Sequence, residues 1–585
     1  MSTATYSIGI DLGTTNSALA FVALDDPSAR VQLLDIPQHV TATSTEARPL
    51  LPSFTYLPPE DTGSTALVGL FARTQSADVP TRTIAAAKSW LCHTRVDRHQ
   101  PILPWNAPAE VHKRSPVEVS ALYLRHLVAA WNQQFPDTPF AHQHVTLTVP
   151  ASFDASARDL TREAAASAGF PGDFVLLEEP QAALYAWLAA RGDTWRKDLR
   201  VGDLILVCDI GGGTTDLTLI AVREQDGDLE LARLAVGNHI LVGGDNMDLA
   251  LAFTAQHLFK EKGHDLDPWQ SVSLWHACRA AKESLLAADG PASHPVTILG
   301  RGSRVIGGAI SVDLTRDQVQ ATLGDGFFPA CALSDKPAKR PTSGFKQLGL
   351  PYESDTAITR HLARFLTDHG DDGQPAARPT RLLFNGGVFK AAALKQRVRD
   401  SFRTWFGDDG VPAVLAGEED LDFAVARGAA FYGQAKRQGG VRIRGGTARA
   451  YYIGIETAGL AVPGAPRPLH ALCVVPHGME EGTATSVPGE EIGLVVGEPV
   501  HFRFFSSATR TTDRPGDLLT RWADGELEET DPLEMSLAAA ENAEGGYVPV
   551  TIETRITELG TLELWCASTV SAEKWKLEFS VREQE

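Results

Sequence analysis

The chain has 585 residues, too many for one hydrophobic core, so several domains are expected. With 43% hydrophobic and 22% charged residues it is ordinary for a globular protein, and 53 basic against 73 acidic residues give a net charge of −20. That balance speaks against nonspecific nucleic-acid binding, and it leaves any anionic ligand to be held by local donors or a metal ion. The six cysteines form no CxxC pair and read as reduced thiols of a cytoplasmic protein. No uncharged apolar run approaches a membrane span, and Tyr6–Ile10 reads as a first strand and not a leader.

In chain order, the strand Tyr6–Ile10 runs into Asp11-Leu12-Gly13-Thr14-Thr15-Asn16-Ser17. Val145–Val149 is predicted to be a strand. Asp154–Ala168 is predicted to be a helix with Asp154 as N-cap and Gly169 as its stop. Val175–Leu177 is a short strand and Glu179–Ala190 a helix. A meander follows at Leu204–Asp209, Leu217–Arg223 and Leu229–Val236. Its first turn is Asp209-Ile210-Gly211-Gly212-Gly213-Thr214-Thr215-Asp216. Asp248–Lys262, Val272–Ala288, Ile358–Asp368, Ala391–Phe402 and Phe423–Lys436 are helices, and Leu382–Asn385 is a strand. Pro329–Pro351 reads as a surface loop. Arg437–Arg449, rich in Gly and Arg, marks a linker. Beyond it Tyr547–Ile556, Leu562–Cys566 and Trp575–Val581 carry strand signals, with a turn at Glu558-Leu559-Gly560. No internal repeat stands out.

The two Asp-Gly-Thr turns carry the chemistry. Glycines let backbone approach a ligand closely, and successive N–H groups in such a turn bind anions. An Asp beside each turn suits Mg²⁺ held through water. Two such turns far apart in sequence suggest two half-domains closing on one Mg-nucleotide. No GxxxxGK[ST] loop, GxGxxG helix start or GxSxG elbow is present.

With the later turn Asn385-Gly386-Gly387 and the connecting helices, these motifs resemble the heat-shock-protein-70 (DnaK-type) chaperone family, of the actin and sugar-kinase ATPase superfamily. The resemblance covers residues 6–436 well and the remainder weakly. It implies an α/β actin-like two-lobed ATPase at 1–436, a linker at 437–449 and a β-rich, β-sandwich partner-binding domain at 450–585. It also implies ATP/ADP with Mg²⁺ as ligands. By this resemblance Asp11 and Asp209 hold the Mg²⁺ water shell. Gly13, Thr14, Thr15 and Asn16 form the first phosphate loop; Gly211, Gly212, Gly213, Thr214 and Thr215 form the second. Lys88, Glu179, Asp209, Thr214 and Asp216 serve hydrolysis. Gly243, Gly244, Asp245, Lys282, Gly386 and Gly387 approach the γ-phosphate and nucleoside. Pro150 and Arg158 relay nucleotide state to the linker. By residue type alone, Lys88 and Arg158 are also consistent with solvated helix residues, Glu179 with a helix N-terminal acid, and Gly386-Gly387 with a plain turn.

Departures from the family are expected to matter. Glu283 stands where the family has a basic residue that stacks on adenine, and Val388 where it has a small polar one. Arg442 and Arg444 alternate with apolar residues where the family's linker is apolar and acid-ended. A helical lid is not expected after Gly560. The implied function is a slow ATP hydrolase that switches the β-domain's grip on unfolded or extended polypeptide, with cochaperones, and with no nucleic-acid or membrane partner. The alternative is a nucleotide-gated scaffold for one dedicated protein partner; a sugar kinase of the superfamily is third.

Overall fold

A computed structural model of the chain describes residues 4–26, 29–59, 65–93, 96–105, 107–225, 228–300, 308–338, 350, 353–370, 374–417, 420–438, 443–444, 447, 449–456, 469–479, 483–497, 499–523, 525–530, 533–536, 547–556 and 562–577. Two six-stranded sheets organise residues up to 444. In the first, β1 (Tyr6–Leu12) and β2 (Asn16–Ala23) form a hairpin. β3 (Gln32–Leu33) and β4 (Leu50–Pro52) pair with β2. β5 (His144–Val149) runs parallel to β1, and β6 (Val175–Glu178) parallel to β5. In the second, β7 (Leu204–Ile210) and β8 (Thr215–Gln225) form a hairpin, with β9 (Asp228–Val236) against β8. β10 (Arg381–Asn385) runs parallel to β7, and β11 (Ala413–Val414) parallel to β10. β12 (Ile443–Arg444) adds a parallel strand beside Leu231 and Ala232 of β9.

Both sheets therefore repeat one plan: an antiparallel hairpin whose first strand starts a parallel run. The sequence gives no sign of this repeat, because only the turns share residues. The central strands are buried on both faces, as sheets covered by helices require. Helices in chain order are α1 (Leu70–Asp78), α2 (Ala87–Trp90), α3 (Pro116–Gln134), α4 (Ala155–Ser167), α5 (Glu179–Arg191), α6 (Gly244–Glu261), α7 (Pro268–Leu286), α8 (Ile358–Asp368), α9 (Ala392–Phe406) and α10 (Ala424–Gln438). Asp154 caps α4 by accepting from Ala157 N at 2.8 Å, as its sequence predicts. Helices α5 and α10 lie between the two sheets. Leu184 and Trp187 pack on Ile205 and Val207, while Ala426 and Ala430 pack on Ala18 and Ala20.

From Ala450 onward the described residues form strands and no helix. A five-stranded sheet holds β13 (Ala450–Glu456), β14 (Leu469–Val475), β16 (Phe504–Ser507), β17 (Leu518–Leu519) and β18 (Glu528–Glu529). A four-stranded sheet holds β15 (Ala484–Val495), β19 (Tyr547–Ile556), β20 (Leu562–Ser568) and β21 (Lys574–Leu577). One apolar core joins them, with Ile453, Leu472 and Val474 from the first sheet against Val550, Ile552, Leu564 and Trp575 from the second. Strand β19 alternates buried and exposed residues along its length, the mark of a one-sided sheet. The turn at Glu558-Leu559-Gly560, Arg442, most of 339–351, and Phe579 and Val581 lie outside the described residues. No described helix is long and apolar enough to cross a membrane.

Candidate functional site

The ends of β1 and β7 point into one cleft between the two sheets. It encloses 670 Å³, within the range of about 300–1,000 Å³ common for small-molecule sites. Asp11, Gly13, Thr14, Thr15, Asn16 and Lys88 line one side. Asp209, Gly211, Gly212, Thr214, Gly244, Asp245, Lys282, Gly386 and Gly387 line the other, with Glu179 between. The two turns meet directly. A Cβ on Gly212 would lie 1.8 Å from Thr15 Oγ1, so only glycine allows the approach. Gly386 has φ +86, and a Cβ there would meet Ile210 O at 2.2 Å; again glycine is required.

Burial and like charge dominate the chemistry. Lys88 pairs with Glu179, and both side chains are largely buried. Lys88 is the second residue of α2, which follows Ala86, a non-glycine residue at φ +55, a strain that persists only where surroundings fix it. Burial alone would lower the Lys88 pKa, but the Glu179 and Asp11 carboxylates together hold it above its ordinary value. Burial, then Glu179, pushes Asp11 up to about 7. Burial, then Glu179, raises Asp209 well above the carboxylate range, although Asn385 Nδ2 donates to it at 2.7 Å. Glu179 and Asp216 are raised as well, chiefly by burial. Four buried acids facing one lysine form a set short of positive charge. Such a set fits a divalent cation near Asp11 and Asp209 on charge alone; among the described residues no group of three His, Cys, Asp or Glu is arranged to hold a metal directly. The Thr15 hydroxyl is buried without a partner, a donor left for an anion or water.

Not every residue singled out above reaches the cleft wall. Gly213, Thr215, Asp216, Gly243, Pro150 and Arg158 lie behind it. The Thr215 hydroxyl turns away from the cleft and donates to Val242 O at 2.8 Å. Asp216 accepts from Ser152 Oγ at 2.6 Å. Arg158 donates to Glu178 at 2.9 Å, and Arg233 flanks Glu178 on its other oxygen. Sequence reasoning passed over Arg279, which bridges Asp245 at 2.5 Å and Asp248 at 2.7 Å. Lys282 adds an ion pair to Asp248 at 2.6 Å. The Asp245/Asp248 and Arg279/Lys282 pairs, each three apart on a helix, were the available signal.

This is a two-lobed α/β protein whose paired glycine turns and buried acids frame an anion-and-cation cleft. The family model described as "Hsp70 protein" matches residues 7–325, more than half of the chain, and the chain belongs to the Hsp70 family. That membership carries the actin-like two-lobed fold. A "Chaperone protein DnaK" of Stenotrophomonas maltophilia is 30% identical over 302 residues, covering 48% of this chain and 43% of that protein. A "Chaperone protein HscA homolog" of Acidithiobacillus ferrooxidans is 33% identical over 294 residues, covering 48% of this chain and 42% of that protein. The matched stretch is less than half the length of either relative.

Proposed function

We propose that the protein binds Mg-ATP in the cleft and hydrolyses it slowly, and that the nucleotide state alters how residues 450–585 hold a polypeptide. The observation that carries this is the meeting of the two turns at Gly212 and Thr15 beside buried Lys88, Glu179, Asp11 and Asp209. On this reading the backbone of Gly13–Asn16 and Gly211–Thr214 cradles the phosphates. Lys88, oriented by Glu179, positions the attacking water, and Thr214 and Lys88 stabilise charge at the γ-phosphate. Asp11 and Asp209 would hold Mg²⁺ through water, and the ion would supply charge neutralisation for the phosphates. Gly244, Asp245, Lys282, Gly386 and Gly387 flank the nucleoside. Behind the wall, Gly213 and Gly243 let the loops pack, and Pro150 and Arg158 carry nucleotide state onward. The division is 1–436, 437–449 and 450–585, the last read as a β-sandwich.

A second reading is a nucleotide-gated scaffold for one dedicated protein partner. It is favoured by the contacts that hold the C-terminal sheet to the lobes, Asn238 to Glu528 at 2.8 Å and Arg449 to Asn238 at 3.5 Å. Calorimetry with Mg-ATP tests the site: absence of binding refutes both readings. ATPase rates with and without an unfolded polypeptide separate them. Stimulation supports the chaperone-type switch, and a flat low rate supports the scaffold.

A further inference from the structure

Asn238 and His239 are neighbours in the loop that follows β9. Asn238 Nδ2 donates to Glu528 Oε1 at 2.8 Å, and its Oδ1 accepts from Arg449 at 3.5 Å. Arg449 also donates to Glu528 Oε2 at 2.8 Å and to Ser506 Oγ at 3.0 Å. One residue of the loop is thus tied to β16 and β18. The other is tied to the phosphate hairpin. His239 Nδ1 lies 2.6 Å from Ser152 Oγ, which lies 2.6 Å from Asp216 Oδ1. The loop backbone joins the same hairpin, with Thr215 N donating to Ile240 O at 2.9 Å.

The proton positions follow from the donor inventory. Burial, then Arg449, holds the His239 ring neutral, with its pKa down at about 4. A neutral ring carries one N–H, a serine one O–H, and a carboxylate accepts. Ser152 therefore donates to Asp216, and His239 Nδ1–H donates to Ser152. The remaining nitrogen, Nε2, is shielded from solvent and has no hydrogen-bond partner. With Asp216 ionised, this arrangement satisfies all three groups. Neither Ser152, His239 nor Asn238 lines the cleft.

We propose that Ser152 and His239 are positioning residues that couple the second phosphate hairpin to the C-terminal sheet. A displacement of Asp216 moves Ser152 and His239, and through the loop it moves the Asn238–Glu528–Arg449 contact. The route is separate from that of Arg158, which donates to Phe153 O and Glu178. The proposal rests on the nucleotide reading given above.

The test uses the full chain, with hydrogen exchange followed at 450–456 and 504–507 without nucleotide, with Mg-ADP and with Mg-ATP. Wild type is expected to change protection there by at least about fivefold between ATP and ADP, the low end of common coupling strengths. Ser152→Ala should remove most of that difference while calorimetric Mg-ATP affinity stays within about twofold, a small shift in free energy. His239→Asn, which keeps an N–H near the Nδ1 position, should retain the response; His239→Phe should lose it. Ser152→Ala and Glu528→Gln should be non-additive, as members of one route are. If Ser152→Ala melts far below wild type, the His239→Asn and His239→Phe pair decides. Absent Mg-ATP binding by wild type overturns the nucleotide reading and the coupling with it. Binding with a full response in Ser152→Ala or His239→Phe, or with no response in wild type, overturns the coupling alone.

Discussion

The two lobes share one sheet plan but hold their cleft carboxylates differently. In the first, Asp11 receives a long hydrogen bond from Thr148 Oγ1, at 3.4 Å, and faces the Lys88–Glu179 pair. In the second, Asp209 is held by Asn385 at 2.7 Å, and a separate Asp245–Arg279–Asp248 bridge stiffens the helices behind it. A repeated topology thus fixes where the two carboxylates stand, while the neighbours decide their tasks. The first lobe brings the buried Lys88 charge, and the second brings the more firmly bonded carboxylate.

The largest test of that contrast is Lys88→Ala against Thr214→Ala. Each should slow single-turnover hydrolysis by about a hundredfold to a thousandfold, the usual cost of losing one donor at a developing charge. Affinity for Mg-ATP should change only a few-fold. Equal hydrolysis in wild type and Lys88→Ala would remove the first lobe from the chemistry.

Next in size is rigidity. Arg279→Ala leaves Asp248, whose side chain is 1% exposed, with one partner instead of two and strips Asp245 of its ion pair. Urea unfolding should show a loss of about 3 kcal/mol, typical of a broken buried pair. Arg158→Ala is the first-lobe counterpart. Arg233 still covers Glu178 there, so the loss should be only about 1 kcal/mol. Equal losses would erase the contrast.

What could be read from the sequence follows the same division. The turns were legible because glycine, aspartate and threonine sit contiguously, and local chemistry decides them. Asp154 and Gly169 bounded their helix for the same reason. The Asp245–Arg279–Asp248 bridge was only half legible: spacing puts Asp245 with Asp248 and Arg279 with Lys282 on one helix face each, but nothing in the sequence says that the two helices face each other. Helix α6 begins at Gly244, four residues before its predicted start, because Asn246 Oδ1 accepts from Gly243 N at 3.0 Å and caps a stretch that reads as a turn. Helix α3 and the hairpin of Ser293–Leu299 with Ala309–Thr315 were not foreseen. The alternation of Arg442 and Arg444 with Val441 and Ile443 left room for a strand in the linker, and Ile443 and Arg444 do add one to the second sheet; its partner β9 was not legible, since edge pairing depends on a neighbour far away in sequence. The repeat itself is invisible because hairpin-plus-parallel topology needs only apolar strands of suitable length.

Histidines sharpen the comparison through pH. His239 and His276 in the second lobe, and His477 in the C-terminal part, are each held at about 4 by burial, then by Arg449, Arg279 and Arg233 respectively. Each is neutral when folded and takes a proton near 6.5 when unfolded. The unfolded state therefore binds more protons between pH 6.5 and 4, and stability present above 6.5 falls as pH drops through that window. For His239 the loss should be on the order of 2 kcal/mol. Urea midpoints at pH 7 and 4.5 should converge in His239→Gln relative to wild type. An unchanged pH slope would mean the ring is charged in the folded protein.

The smallest expected effect concerns the base. Glu283, Leu286, Val388, Lys390 and Leu394 line the cleft beyond the phosphate turns. A carboxylate offers no plane to stack on a base, and Val388 and Leu286 offer no side-chain hydrogen bond to its edge. The backbone cradle at Gly13–Asn16 and Gly211–Thr214 is blind to the base. Most affinity should then reside in the phosphates, and ATP and GTP should bind within about tenfold of each other, or about 1.4 kcal/mol. Glu283→Arg supplies a guanidinium plane and should tighten ATP by about threefold to tenfold, the strength of a partly exposed cation–π contact. Calorimetry of ATP and GTP against both proteins checks this. A wild-type preference for ATP on the order of a hundredfold, nearly 3 kcal/mol, would mean that the second lobe reads adenine through its backbone at Gly386 and Gly387, and that rigid placement alone suffices for selectivity.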